Sequence, residues 1–402
     1  MSTFLRRQPE VHEDVDLRRV ESFELPYDDQ YSSPLFSVLP GEIRDLIYRY
    51  ALSDYEDMTR AYDHETCYRR PEYMAPRKTD TALLRTCQAI YTNCWFMPWT
   101  QAQHTFFLAA GSRKPTRTTE PHQMARMSQL IENLHPEASP RSKEVENVQI
   151  FAQLYILEPG HQLNRLLQIP HFTPRTITIT LRHTDIWYWE NDHPIYTDTP
   201  WVRLARFPAS VSTLRIQFES IERRKPQVDY VSSQAREDWF FQRTDDVHLV
   251  ANAGCPSEEL RWTGSSSWEG RRWIRDEDDR EPSVLHYYLV TVTFKPASLV
   301  EDAAGYQARK NKTIAPKIVV PADVAAKTQI PGGGANASLQ LTLLEKAGVT
   351  SDTPASDALT IYQEWVMTQE ARRREINAER RHAAQMLAAQ RRQQQQAGGQ
   401  QP

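Results

Sequence analysis

Residues 148–182 read VQIFAQLYILEPGHQLNRLLQIPHFTPRTITITLR, and the fold class turns on how this stretch is parsed. Val148–Leu154 is a short, largely apolar run, and Thr176–Arg182 alternates β-branched side chains with a period of two, as a strand does. HQLNRLLQ, at 161–168, is a helix-sized insert between them, and Pro174 leads into the second run. Strand, helix and strand in succession predict an α/β protein.

Working outward, Thr213–Ser220 and Tyr287–Lys295 are further strand-like runs, the latter the longest and richest in β-branched residues. The first two runs start 28 residues apart and the next pair 37 apart. This spacing predicts strand–helix units stacked like a degenerate leucine-rich repeat. No asparagine ladder accompanies it, so a layered α/β body stands beside that reading. Residues 222–283 are charged, Trp-rich and weakly periodic, which predicts long excursions packed on the sheet.

Toward the N-terminus, PGEIRDLIYRYAL at 40–52 places Ile43, Leu46, Ile47, Tyr50 and Ala51 on one face of an amphipathic helix. Pro40 suits its first turn, and Glu42 favours the positive helix start. After a loop over Ser53–Thr79, a second helix is expected from Thr81 to Trp95, with Leu83, Leu84, Cys87, Ile90, Tyr91 and Cys94 on its apolar side. HTFFLA at 104–109 reads as a strand, 111–122 as an exposed loop and 123–134 as a helix. The parsing gives a disordered arm at 1–33, a helical region at 34–110 and a strand–helix domain at 111–295. An Ala, Pro, Gly and Lys-rich flexible linker follows at 296–355, then a polar helix and Gln-rich tail at 356–402. That last helix starts near Asp357 with Leu359, Tyr362, Trp365 and Val366 along one edge, and its final ten residues are expected to be disordered.

Composition narrows the function classes. The chain has 402 residues, a net charge of −4 and 40% hydrophobic residues, enough to bury a core without a global field for nucleic acid or anionic membranes. The apolar-rich run Tyr287–Phe294, interrupted by Thr291 and Thr293, is eight residues, against the roughly 20 a spanning helix needs. The charged N-terminus lacks the apolar stretch of a signal peptide. Cysteines 67, 87, 94 and 255 have no paired spacing and fit reduced thiols. A cytoplasmic or nuclear, intracellular location is expected, with a protein partner, no membrane and no nucleic acid.

SPLFSVLPGEIRDLIYRYAL at 33–52 and TALLRTCQAIYTNCW at 81–95 together resemble the F-box-like domain of filamentous-fungal proteins, whose pattern is L-P-x-E-I-R-x-x-I-Y followed by L-L-x-T-C-x-x-I-Y. FAQLYILE at 151–158 and ITLRHTDIWYWE at 179–190 extend the resemblance over 34–295. It implies a helical hook that binds the Skp adaptor of cullin–RING ubiquitin ligases through Leu39, Pro40, Ile43, Leu46 and Ile47. Leu83, Leu84 and Ile90 would support the second helix. Such docking rests on an apolar stripe seated in a partner's groove. The chain departs from the general F-box in its 53–79 loop, far longer than the usual turn. The rival expectation is a stand-alone scaffold whose stripe is buried inside the protein.

RHTDIWYWENDH at 182–193 concentrates His183, Asp185, Glu190, Asp192 and His193, yet matches no metal-ligand spacing and divides its side chains between two faces of an extended run. An enzyme built on this segment is the third reading. Trp187, Trp189 and Trp201, within a region dense in aromatics, are candidates for a peptide groove, with core filling as the alternative. GSSSWEG at 264–270 lacks nucleophile-loop spacing and reads as a turn; GGG at 332–334 reads as linker. Arg372–Arg374, Arg380–Arg381 and Arg391–Arg392 make the tail basic, but Glu370, Glu375 and Glu379 dilute that field in the linear sequence. No catalytic residue, metal site or cofactor is expected.

Overall fold

The two runs around HQLNRLLQ are neighbouring parallel strands joined through two short helices. A computed structural model describes residues 28–116, 118–119, 121–134, 144–251, 257–300, 313–330 and 337–398. They divide into two units: 28–63, 67–262 and 287–329 in the first; 64–66, 263–286 and 330–398 in the second.

The first unit is built on a nine-stranded mixed sheet that curls into a half-barrel. Its strands are β1 (Gln103–Leu108), β2 (Val145–Ala152), β3 (Pro174–Leu181), β4 (Arg206–Phe207) and β5 (Thr213–Ile221). They continue with β6 (Phe240–Arg243), β7 (His248–Ala251), β8 (Glu258–Ser265) and β9 (Val284–Pro296). The spatial order is β1-β2-β3-β5-β9-β7-β6-β4, with β8 beside β9. β1, β2, β3 and β5 run parallel, and β9 is antiparallel to β5 and β7.

Register sorts the two faces by polarity, because side chains alternate along each strand. Phe106, Ile150, Ile179, Ile216 and Val292 form one apolar row across five strands; Val148, Ile177, Leu214 and Phe294 form the next. This face meets Leu163, Leu166 and Trp201 of two short helices and Val228, Val231 and Ala235 of α3 (Lys225–Asp238) in one core. The opposite face carries the row Phe107, Phe151, Thr180, Gln217 and Thr291. Gln149 donates to Thr180, Thr180 to Gln217, and Gln217 to Thr291, so the amides and hydroxyls satisfy one another.

One end of that face buries two ion pairs. Arg182 Nε and Nη2 grip Asp185 at 2.6 and 3.0 Å, and Arg70 Nη2 meets Glu219 at 2.8 Å. Both guanidinium groups lie over the Phe151 ring, and Trp262 Nε1 donates to Glu219 at 3.0 Å. Burial pushes the Glu219 carboxyl up, and Arg70 opposes that shift. Arg70 and Tyr73, the latter edge-to-face with Phe151, come from the 53–79 segment. The residues that lengthen this connection therefore cover the sheet.

Several expectations need correction. The second helix breaks: a 3-10 turn at Ala82–Arg85 precedes α2 (Gln88–Cys94), with Cys87 extended between them. Thr86 Oγ1 donates to Leu83 O at 2.8 Å, occupying a carbonyl at the end of the turn. Residues 222–283 are not mere excursions, since they hold α3 and β6–β8. α3 escapes notice because its buried stripe, Gln227, Val228, Val231, Ser232 and Ala235, is half polar or small. The boundary drawn at 110 does not separate units, because β1 pairs with β2 across it.

In the second unit, Ser267–Trp268 and Arg271–Arg272 form a hairpin through Glu269 and Gly270, both at positive φ, and Leu339–Gln340 adds a third strand. GSSSWEG at 264–270 is thus mostly strand, and only Glu269 and Gly270 form the turn. α4 (Leu341–Ala347) ends at Gly348, whose φ of +85° lets Val349 N bond back to Leu344 O. Ile274, Leu339, Leu344, Val349 and Ala358 form the core. Arg272 pairs with Glu277 at 2.7 Å and donates to the Thr350 and Thr353 carbonyls. The expected linker at 296–355 therefore contains ordered structure. Its short elements, including Lys317–Val319 and Ala322–Ala326, span too few turns or alternations to show a period. GGG at 332–334 and arm residues 1–27 lie outside the described residues. The tail is one helix, α5 (Ala355–Gly398), so helix replaces disorder in the last ten residues as far as 398. No helix among the described residues is long and apolar enough to cross a membrane.

Candidate protein-docking site

GEIRDLIYRYA folds as α1 (Gly41–Ala51), with Pro40 as its N-cap and Glu42 in the first turn. The helix is held from one side. Tyr48 and Leu52, four residues apart, are 2% and 0% exposed and pack with Ile90, Cys94 and Met97. Burial of Leu52 stabilises by about 1.5–3 kcal/mol. Arg44 Nη1 donates to Phe36 O at 3.1 Å while its guanidinium lies over the Phe36 ring, tying the helix to the preceding turn. Arg49 pairs with Glu146 at 2.9 Å. Burial raises the Tyr48 hydroxyl pKa and pushes the Cys94 thiol up to about 12.

The apolar stripe faces away from this support. Ile43 is 42%, Leu46 50%, Ile47 38% and Tyr50 81% exposed. Pro40 is exposed and Leu39 half-buried. Leu83 and Leu84 are half-buried against the Tyr48 cluster, and Ile90 is buried within it. These side chains are solvent-accessible rather than sealed inside the chain. Val38, 72% exposed in the approach to α1, was absent from the candidate set. Its signal is an apolar residue immediately before the LP of the helix start.

The candidate aromatic groove does not exist as one surface. Trp201 is fully buried, edge-to-face with Trp239, and Trp189 is 2% exposed beside His183. Trp187 is half-buried, stacks on Tyr196 and donates Nε1 to Glu158 at 2.8 Å. Core filling claims these rings because their large apolar faces gain most from burial.

Segment 182–193 is committed to internal pairs. Asp185 is held by Arg182, His183 Nδ1 lies 3.0 Å from Ser220 Oγ, and Asp192 meets Arg223 at 2.8 Å. No group of three or more His, Cys, Asp or Glu side chains among the described residues could hold a metal ion. A cleft of about 470 Å³ is lined by Asp54, Tyr62, Arg77, Lys78, Trp99 and His104. Its charges are also paired, Arg77 with Asp54 and Lys78 with Asp57. Hydrogen bonds from Thr59 and Lys78 hold the Asp57 carboxyl below the usual carboxylate range, and burial lowers the His104 pKa.

Comparison with protein-family models, with curated proteins and with solved structures found no match to this chain.

Proposed function

We propose that this chain is a non-enzymatic protein-interaction module in which α1 grips a partner, in the manner of an F-box-like adaptor engaging the Skp subunit of a cullin–RING ubiquitin ligase. The observation that carries the reading is the placement of Ile43, Leu46, Ile47 and Tyr50 in solvent while Tyr48 and Leu52 anchor the helix from behind. An apolar stripe on a helix fixed at its back suits helix-in-groove docking, and few large side chains supply most of such affinity. On this reading the strand–helix body, repeat-like over its parallel strands or simply layered, is the platform that presents substrate. The length of the 53–79 connection is compatible with it, since those residues cover the sheet.

The test is capture of purified Skp-type adaptor and cullin by the full chain, comparing wild type with Ile43→Asp/Ile47→Asp. Binding by wild type and loss of at least about 30-fold in the variant are expected, from about 2 kcal/mol or more at a docking hot spot. A folded variant that binds as wild type does, or a wild type that captures no adaptor, overturns the reading.

A further inference from the structure

Every residue from Met367 to Arg392 of α5 is exposed. Arginines occur there as adjacent pairs at 373/374, 380/381 and 391/392, separated by 7 and 11 residues. At roughly 100° per residue those intervals are close to two and three whole turns. Six of the seven arginines in this stretch therefore fall within a sector of about 120°, along about 28 Å of helix axis, while Arg372 lies about 140° from its centre. Asn377, Ala384 and Ala388 occupy the same sector and leave the arginines outermost. Glu375 and Glu379 lie roughly 160° from its centre. Glu370 shares the sector and meets Arg374 at 3.4 Å, whereas Arg373, Arg380, Arg391 and Arg392 have no carboxylate partner among the described residues. The glutamates that dilute the field in the linear sequence are largely on the other side of the helix.

We infer that this face of α5 binds the phosphodiester backbone of a nucleic acid. Arginine presents a planar fork of donors that matches phosphate bidentately, and a repeated series of them fits a polyanion better than a single ion. A lipid surface fits less well. The sector holding Ile376, Ala383, Met386 and Leu387 is interrupted by Arg372, Glu379 and Gln390, whereas a membrane-surface helix needs a continuous apolar face. The face also lacks the large apolar side chains that would anchor a folded protein partner.

The test measures fluorescence anisotropy of a labelled 30-bp DNA duplex and a 30-nucleotide RNA with the full chain, from about 50 to 200 mM salt. Whichever probe binds identifies the source of phosphate. With about six phosphate contacts, the slope of log affinity against log salt on duplex should approach −5, a loss of about 10³-fold over that range. Arg380→Gln/Arg381→Gln/Arg391→Gln/Arg392→Gln should reduce it to about −2, with helicity by circular dichroism unchanged. Inserting two alanines between Ala388 and Ala389 turns the last pair by about 200° and should weaken binding, whereas four alanines turn it by only about 40° and should not. Three outcomes overturn the inference: neither probe binds at 50 mM salt, the two insertions behave alike, or only phosphatidylserine vesicles are bound.

Discussion

Arg70→Met tests whether the 53–79 segment is held to the sheet by charge. Arg70 is 7% and Glu219 2% exposed, and their 2.8 Å contact is shielded by Phe151 and Trp262. Removing the guanidinium strands a buried carboxylate, which costs about 3–5 kcal/mol. At about 2–4 °C per kcal/mol for a folding unit of this size, Tm should fall by roughly 6–20 °C. Adding Glu219→Gln removes the stranded charge and keeps an acceptor for Trp262 Nε1, so the double variant should recover about half the loss. The pH dependence has a definite sign. Burial raises the Glu219 pKa, so the folded state holds that proton more tightly than the unfolded chain does. This contribution to stability is therefore lost as pH rises from the ordinary carboxylate range through the raised folded value. Arg70→Met should steepen that loss, and Glu219→Gln should abolish it. Urea unfolding at pH 5 and pH 8 reads all three proteins. An Arg70→Met midpoint equivalent to less than about 1 kcal/mol of destabilisation at both pH values would refute the argument.

Three further outcomes follow from the same geometry. Leu52→Ala should cost about 2–5 kcal/mol in urea unfolding, while Ile43→Asp, on the exposed side of α1, should stay within about 1 kcal/mol of wild type. Gly160→Ala should cost about 1–2 kcal/mol by the same measurement, because φ there is +77° and the new Cβ would sit 3.2 Å from Leu204 Cβ. Cys94, buried and with its thiol pushed up to about 12, should resist iodoacetamide at pH 8 until denaturant is added; labelling of the native protein at Cys94 in a mass-mapped digest would contradict this.

The strands were legible where β-branched residues run long enough to repeat. Thr176–Arg182, Thr213–Ser220 and Tyr287–Lys295 lie close to Pro174–Leu181, Thr213–Ile221 and Val284–Pro296. Their spacing could not reveal that β9 runs antiparallel, because pairing direction is set by the path of the intervening chain rather than by local pattern. α1 was legible as a helix, but periodicity alone could not tell which side faces the core. The four-residue pair Tyr48 and Leu52 decides that, through contacts with residues about 40 positions away. The tryptophans show the converse limit: rings suited to binding are equally suited to a core, and only packing assigns Trp189 and Trp201 to the latter. Linear charge counting hid the phase relation of the tail arginines, which needs an unbroken helix to become a surface.

The row of amides and hydroxyls on the sheet's second face constrains which neighbours each strand accepts. Gln149, Thr180, Gln217 and Thr291 belong to four different strands, and each completes the valence of the next. Sliding any one of these strands by a single residue would bring an apolar side chain into the line and break these hydrogen bonds. An all-aliphatic surface would tolerate several such misalignments at similar energy, so these four side chains favour the native register over its neighbours.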